Sequence, residues 1–534
     1  MPDHDAIVVG SGINSLACAA LLARAGWSVC VLERNDYLGG AVKTAELTEP
    51  GFLHDVFSAW HPLWVGGVGH AELGDELAAR GLEYLNTDYP TATLFPDGEA
   101  AFLLRSADAN AAELDRHMPG DGDAWRRELA RFFPNADLAF GLLGTELWSK
   151  SGLALALRVY RRLGRRGAAA FAGDLLVSSR DWLTDTFASE RAHGLLAPWV
   201  LHTGLGPDAA VSGFMTHVIG VAIQEGGMPI PRGGGARLVD ALVRLIRDHG
   251  GVCETGRDVE RILVRDGQAT AVRTEDGDEL TAARAVIANV TPTQLYGRLL
   301  DKPEPRFRYG RSDMQIHFAL SEPPRWEGDE RLGKTAIVHL TPGLDGVSRA
   351  VNEAERGLLP AEATVVVGQP LTIDPIRAPE GAGLLWIQLQ ELPWRVKGDA
   401  ARVLETGDGI WTEALRERYA DRIQARIAEH VPNLESAIRK RVVLSPADLH
   451  AANVNLHHGD PYSGSLALDQ NFLWRPFAAS PGHRTPVDRL WHIGASTHPG
   501  PGLGAGSGTL VAKQLLEPAV TQKAVDRLSA LVRR

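Results

Sequence analysis

Cysteine is scarce in this chain. Only three occur in 534 residues, Cys18, Cys30 and Cys253, and none forms a CxxC pair. That excludes a disulfide framework and a dithiol redox centre, and leaves the thiols as small core residues. Long apolar runs are missing too: none approaches the roughly 20 residues that a membrane-crossing helix needs. Met1 to Asp5 carry two acids and lead into an apolar stretch, without the basic and apolar regions of a secretory leader, so a cytoplasmic location is expected. Basic charge is in deficit. With 55 Lys and Arg against 66 Asp and Glu, the net charge is -11, the wrong balance for a nucleic-acid partner. No GxSxG elbow marks an acyl-transfer serine. The "HHGD" of His457 to Asp460 lacks the spacing of a metal site; it reads as a solvated turn, and no metal is expected.

What is present is a globular composition, 44% hydrophobic and 23% charged, at a length that calls for more than one domain. The first distinctive stretch is "GSGINS", positions 10 to 15. Asp5 to Val9 reads as a buried strand, Gly10 to Ser15 as a tight turn, and Asn14 to Ala25 as a helix closed by Gly26. Trp27 to Leu32 reads as a second strand, ending at Glu33. The acid follows Gly10 at about the 20-residue offset at which a carboxylate meets a ribose hydroxyl. Gly10 makes the turn, and Gly12 lets the backbone approach a pyrophosphate at the helix N-terminus. The third place of the fingerprint, which packs helix on strand, is Ser15 instead of glycine. A side chain at such a contact costs about 1–3 kcal/mol and leaves the nucleotide site in place.

Glu33 suits either NAD or FAD, and the stretches that follow favour FAD. Gly39 and Gly40 form a second glycine pair just beyond the acid, as in FAD proteins of the glutathione-reductase type. Near the other end, "LWHIGASTHPGPGLGAGSGTLVAKQLL" reads as a strand, Leu490 to Ile493, then a Gly/Pro loop, then a helix from about Ser507. The start of that helix is expected to face the flavin and stabilise negative charge on the reduced ring. Between them, Val259 to Arg265, Ala269 to Thr274 and Glu279 to Ala282 read as a β-meander, and Ala285 to Ala288 as a returning strand. The other glycine-rich strings lack a preceding strand, so one nucleotide unit is read, gripped by both ends of the chain.

These blocks, together with "GGMPIPRGGGARLVDAL" from Gly226 and "GDPYSGSLALDQNFLWRP" from Gly459, resemble the phytoene desaturase family of FAD-dependent oxidoreductases. Within it they resemble the branch of pyridine nucleotide-disulfide oxidoreductase domain-containing protein 2. The resemblance runs nearly end to end, although the family usually has His and Gly where this chain has Ile13 and Ser15. It implies an α/β fold: a glutathione-reductase-type Rossmann FAD-binding domain (1–71, 216–302, 481–534) with a mixed α+β substrate domain inserted in two segments (72–215, 303–480). It implies that Gly10, Ser11, Gly12, Ile13, Asn14 and Ser15 surround the pyrophosphate, that Glu33 and Arg34 lie at the ribose, and that Gly39, Gly40 and Ala41 flank the ribityl chain. Val259 would meet the adenine, Ala288 and Asn289 the dinucleotide, and Gly494, His498, Gly502, Leu503 and Gly504 the flavin end.

The activity implied is dehydrogenation of a hydrophobic, isoprenoid-like substrate by hydride transfer to flavin N5 while a proton leaves the neighbouring carbon. His61 and His498 are the candidate proton relays. The electron acceptor, oxygen or a quinone, is open. So are a saturase, an amine or alcohol oxidase, and a low-turnover flavin-binding interaction protein. Trp60, Trp64, Trp182 and Trp199 are candidates for a substrate channel, with plain core packing the better reading of each. In "GLALALRVYRRLGRR", Gly152 to Arg166, helical spacing sets Leu153, Leu157, Tyr160 and Leu163 on one face and Arg158, Arg161, Arg162 and Arg165 on another. Such a helix either lies on an anionic membrane as a peripheral contact or pairs its arginines with acids of its own domain.

Overall fold

A computed structural model describes residues 2–517; positions 518–534 of the last expected segment lie outside the described residues. Two seven-stranded sheets organise the chain. The strands of these sheets and the helices that matter for the site are numbered here in chain order.

The first sheet grows from β1 (His4–Val9), α1 (Ile13–Arg24) and β2 (Val29–Leu32). Its strands are continuous apolar runs because both faces are covered. β2 pairs with β3 (Val252–Glu254), and on the other side β1 pairs in parallel with β6 (Glu279–Asn289). β4 (Val259–Arg265) and β5 (Gln268–Thr274) form the meander. β6 differs from expectation: the segments 279–282 and 285–288 are one strand. Ala283 and Arg284 carry no turn signal, so the chain runs straight on. The first part of β6 pairs antiparallel with β5, and its second part lies between β1 and β12 (Leu490–Ile493).

The second sheet has the order β11–β7–β10–β9–β8, continued by a hairpin at 91–94 and 100–103. Here β7 is Ser312–Leu320, β8 Ile337–Leu340, β9 Val365–Gly368, β10 Gly383–Leu392 and β11 Ile438–Leu444. The hairpin joins β8 in parallel, so both intervening segments contribute strands to this sheet.

The chain start, middle and end meet at one junction. Helix α3 (Gly506–Leu516) packs on α1, and the Gly508 N–H donates to Asn14 Oδ1 at 3.0 Å. A Cβ at Gly508 would stand 1.9 Å from the Asn14 carbonyl oxygen. Asn289, the last residue of β6, donates through Nδ2 to Ser15 Oγ at 2.9 Å. Ser15 is therefore not the packing defect expected from its place in the fingerprint, because its hydroxyl finds a partner that glycine would lack.

The three cysteines are buried, and burial pushes the thiols of Cys18 and Cys30 up to about 12. Among the described residues no helix is long and apolar enough to cross a membrane. The basic helix is α2 (Lys150–Asp174), interrupted at Gly164. Leu155 turns inward, whereas Leu153, Leu157 and Tyr160 are exposed. Arg162 forks onto Asp137, and Arg158 approaches the same acid.

Gly508→Ala tests the junction. The added carbon forces α3 away from α1, and the stability measured by denaturant unfolding is expected to fall by about 1–3 kcal/mol. Unchanged stability would show that the contact is not tight.

Candidate active site

The turn after β1 and the loop after β2 enclose the closed end of a cavity of about 400 Å³. Helix α1 begins after Gly12 with no side-chain cap and no acid in its first turn. Its leading N–H groups and positive dipole end are thus available to an anion. The backbone crossing is close: a Cβ on Gly40 would stand 3.1 Å from Gly12 Cα, and one on Gly12 would stand 3.0 Å from Asn289 Nδ2. Glu33 ties the loops together. One carboxylate oxygen accepts the Ser11 N–H and hydroxyl at 2.9 and 2.7 Å, and the other accepts the Asn35 N–H at 2.9 Å. Ser11 Oγ in turn accepts the Gly39 N–H at 3.0 Å. An uncapped helix start, glycine backbones in close approach and a carboxylate beside them suit the pyrophosphate and ribose of a dinucleotide.

Most of the expected cofactor residues line this one cavity: Gly10, Ser11, Gly12, Ile13, Asn14, Glu33, Arg34, Gly39, Gly40, Ala41, Val259, Asn289, Gly502 and Leu503. Ser15, Ala288, Gly494, Gly504 and His498 are not among the lining residues. Ala288 is fully buried in β6, and the Gly494 N–H is bound to Ser507 Oγ. The start of α3 is partly engaged within the protein. Its Gly508 N–H is taken by Asn14, and the wall at that end comes from the preceding loop, Ala495, Ser496 and Pro501 to Leu503.

Neither expected proton relay reaches the cavity wall. His61 is fully buried with Nδ1 on the Tyr84 hydroxyl at 2.9 Å, and burial drives its pKa down to about 4. His498 is 1% exposed and likewise pushed down to about 4; its carbonyl accepts a hydrogen bond from His483 Nε2. Both are buried imidazoles that are neutral near neutral pH, and neither is among the residues lining the cavity.

Beyond the nucleotide end the cavity reaches the second sheet. Trp60, Trp199, Ile219, Ile223, Met228 and Trp386 make an apolar wall. Trp64 is instead core, and Trp182 stacks on His217 and donates to Glu128. The same cavity is also lined by Asp313, Gln315, Gln388, Gln390 and Tyr462, which the sequence reading missed. Their signal is the period of two in "SDMQIHFAL" and "GLLWIQLQEL", where every second residue is polar over part of a strand. The "HHGD" turn also differs from expectation. Asp460 is fully buried and accepts the N–H groups of Gly310, Tyr462 and Gly464, while the rings of His457 and His458 pack against Tyr309 and Trp394. Those three backbone donors hold the carboxylate inside, while His457 and His458 stay partly exposed, so the turn is solvated at its histidines only.

A parallel sheet with an anion seat at its first turn, opening into an apolar chamber under a mixed sheet, defines a dinucleotide-dependent enzyme with a covered substrate space. Residues 16–500 match the model of the flavin containing amine oxidoreductases, and the chain belongs to that family of flavin-dependent oxidoreductases. It is 26% identical to pyridine nucleotide-disulfide oxidoreductase domain-containing protein 2 of Mus musculus, over 95% of this chain and 92% of the relative. It is also 26% identical to the neurosporene-forming phytoene desaturase of Rhodobacter capsulatus, over 96% of this chain and 93% of that one. Cyclohexylamine oxidase from Brevibacterium oxydans shares the fold, with a TM-score of 0.56 at 17% identity and full coverage of both chains.

Glu33→Ala is expected to weaken flavin binding about 10- to 100-fold, as fits loss of a hydrogen bond to a charged group. Titration of the apoprotein with FAD, followed by fluorescence quenching, measures it. Wild-type affinity would show that Glu33 does not contact the ribose.

Proposed function

We propose that the protein is an FAD-dependent dehydrogenase of a hydrophobic substrate, built on a glutathione-reductase-type nucleotide domain. The observation that carries this reading is the single cavity that joins the α1 anion seat to the tryptophan wall, so that one ligand at the first sheet would abut another under the second. The phytoene desaturase relative supports an apolar substrate class.

In this reading the N-terminus of α1 holds the pyrophosphate, Glu33 the ribose, and the backbone of Gly39, Gly40 and Ala41 the ribityl chain, while Val259 and Asn289 flank the nucleotide. The loop from Pro501 to Leu503 borders the ring. Bound FAD supplies the two-electron oxidant, taking a hydride at N5. Trp60, Trp199 and Trp386 keep water from the reacting carbon and orient the apolar chain. Oxygen or a quinone would regenerate the oxidised cofactor. Anaerobic mixing with apolar alkenes, alcohols and amines tests the reading. The flavin absorbance is expected to bleach with one class, giving a product lighter by one H2. A heavier product formed by prereduced enzyme would instead mark a saturase, and no bleaching with any class would leave a flavin-binding protein without turnover.

We further propose peripheral contact with an anionic lipid surface through α2. Leu153, Leu157 and Tyr160 project outward, 70%, 44% and 55% exposed; Arg161 follows them in the helix, and Arg165 and Arg166 are exposed just beyond its break at Gly164. Apolar side chains next to unneutralised guanidinium groups suit an interface of acyl chains and acidic headgroups. The protein is expected to sediment with phosphatidylglycerol vesicles and to be released by salt. The pair Leu153→Glu and Tyr160→Glu should abolish sedimentation. Equal recovery with phosphatidylcholine vesicles, or no effect of the pair, would overturn the contact.

A further inference from the structure

The second sheet is two-faced in an unusual way. One face is uniformly apolar: Met314, Ile316 and Phe318 of β7, Leu385, Ile387 and Leu389 of β10 and Val365 and Val367 of β9 form one core. The opposite face is buried too, yet β7 places Asp313, Gln315 and His317 on it, and β10 places Trp386, Gln388 and Gln390. Gln315 and Gln388 are directly paired across the strands. Antiparallel sheets usually turn such residues toward water. Here Asp313, Gln315, Trp386, Gln388 and Gln390 line the cavity.

The hydrogen bonding of this patch is incomplete. Asp313 Oδ2 accepts Gln388 Nε2 at 2.8 Å and Gln315 Nε2 at 3.2 Å, and Gln390 Nε2 donates to the Tyr462 hydroxyl at 2.9 Å. Asp313 Oδ1, Gln315 Oε1 and Gln390 Oε1 have no partner, although their residues are only 2%, 2% and 3% exposed. Buried polar atoms left unpaired at a cavity wall cost free energy unless an occupant bonds to them. The patch belongs to the flavin end of the chamber: Tyr462 adjoins Ser463, whose carbonyl accepts the Ser496 hydroxyl from the loop that walls that end.

We propose that this patch seats a hydroxyl group, so that the substrate is an otherwise apolar alcohol and not a pure hydrocarbon. The assignment rests on the reading of this cavity as the substrate chamber of a flavoenzyme. Burial pushes the Asp313 carboxyl up to about 8. A neutral carboxyl whose Oδ2 already accepts two amides carries its proton on Oδ1 and offers one donor. The glutamine carbonyls beside it offer acceptors. A hydroxyl both accepts and donates, and so meets both needs. A hydrocarbon meets neither.

Farnesol, farnesene and farnesylamine carry matching chains and differ at the head, and their binding to the holoenzyme is read from the shift of the flavin spectrum. Farnesol is expected to bind roughly 10- to 100-fold more tightly than farnesene. Asp313→Leu should erase that preference while flavin content stays at the wild-type level. Asp313→Asn, an isostere that still offers a neutral donor, should keep it, and this retention separates a headgroup contact from a merely structural role. Equal affinities for alcohol and hydrocarbon, or a preference for the amine that Asp313→Asn removes, would overturn the proposal. If none of the three perturbs the flavin, the substrate-chamber reading fails along with it.

Discussion

The contact between Asn14 and Gly508 is the constraint on which the site depends. The nucleotide turn is encoded near one end of the chain and the loop at the other end of the cavity is encoded near the opposite end, so the chamber exists only if the two are docked. The docking is made by backbone: a glycine at 508 lets α3 approach until no Cβ would fit, and the Asn14 side chain bonds the Gly508 N–H that the approach brings near. Asn289 completes the joint by reaching from β6 to Ser15, while Gly494 lies so close that a Cβ there would stand 2.1 Å from Asn289 Oδ1. Small residues set the distance and amides set the register. A serine in the fingerprint is consistent with that logic, because the position has become part of a polar joint.

Docking the chain ends also decides what α3 can do. The Gly508 N–H engaged by Asn14 is not available to a ligand, and the residues of this region that line the cavity belong to the loop before the helix. The trade follows from each N–H being a single donor. The same rule explains Glu33. Its carboxylate carries more lone pairs than its three donors, Ser11 N–H, Ser11 hydroxyl and Asn35 N–H, occupy, so it can brace the loops and still receive a ribose hydroxyl.

Much of the nucleotide half was legible in the sequence because its signals are local. A strand of consecutive apolar residues, a glycine turn, a helix and an acid appear in order within 4–33, and Leu490 to Ile493 is a short apolar run ended by Gly494. The second sheet was less legible. Alternation in β7 and β10 shows two faces but not which lies against a cavity, and Asp or Gln at every second position has the same pattern as a solvent-facing strand. The placement of His61 and His498 was not legible for a related reason. A lone histidine carries no local sign of its direction, and both are buried outside the cavity lining. In α2 the spacing put Leu153, Leu157 and Tyr160 on one face, but Leu155 on a different face is the residue the fold buries.

The chamber therefore has two walls of different chemical character, and that difference bears on selectivity. Tryptophan, isoleucine and methionine surfaces bind an apolar chain with little discrimination between similar chains, since each added methylene changes affinity only modestly. A buried carboxyl and amide carbonyls discriminate more sharply, because a ligand that leaves them unpaired bears their desolvation in full. Glutamines can hold Asp313 in one orientation only if β7 and β10 keep register, and that register is maintained by the apolar core on the opposite face of the same strands. Selectivity at the polar wall is thus coupled to packing on the far side of the sheet, where Met314, Ile316, Leu385 and Leu389 interlock. Any change of volume there reaches the substrate through the strand backbone and not through a direct contact.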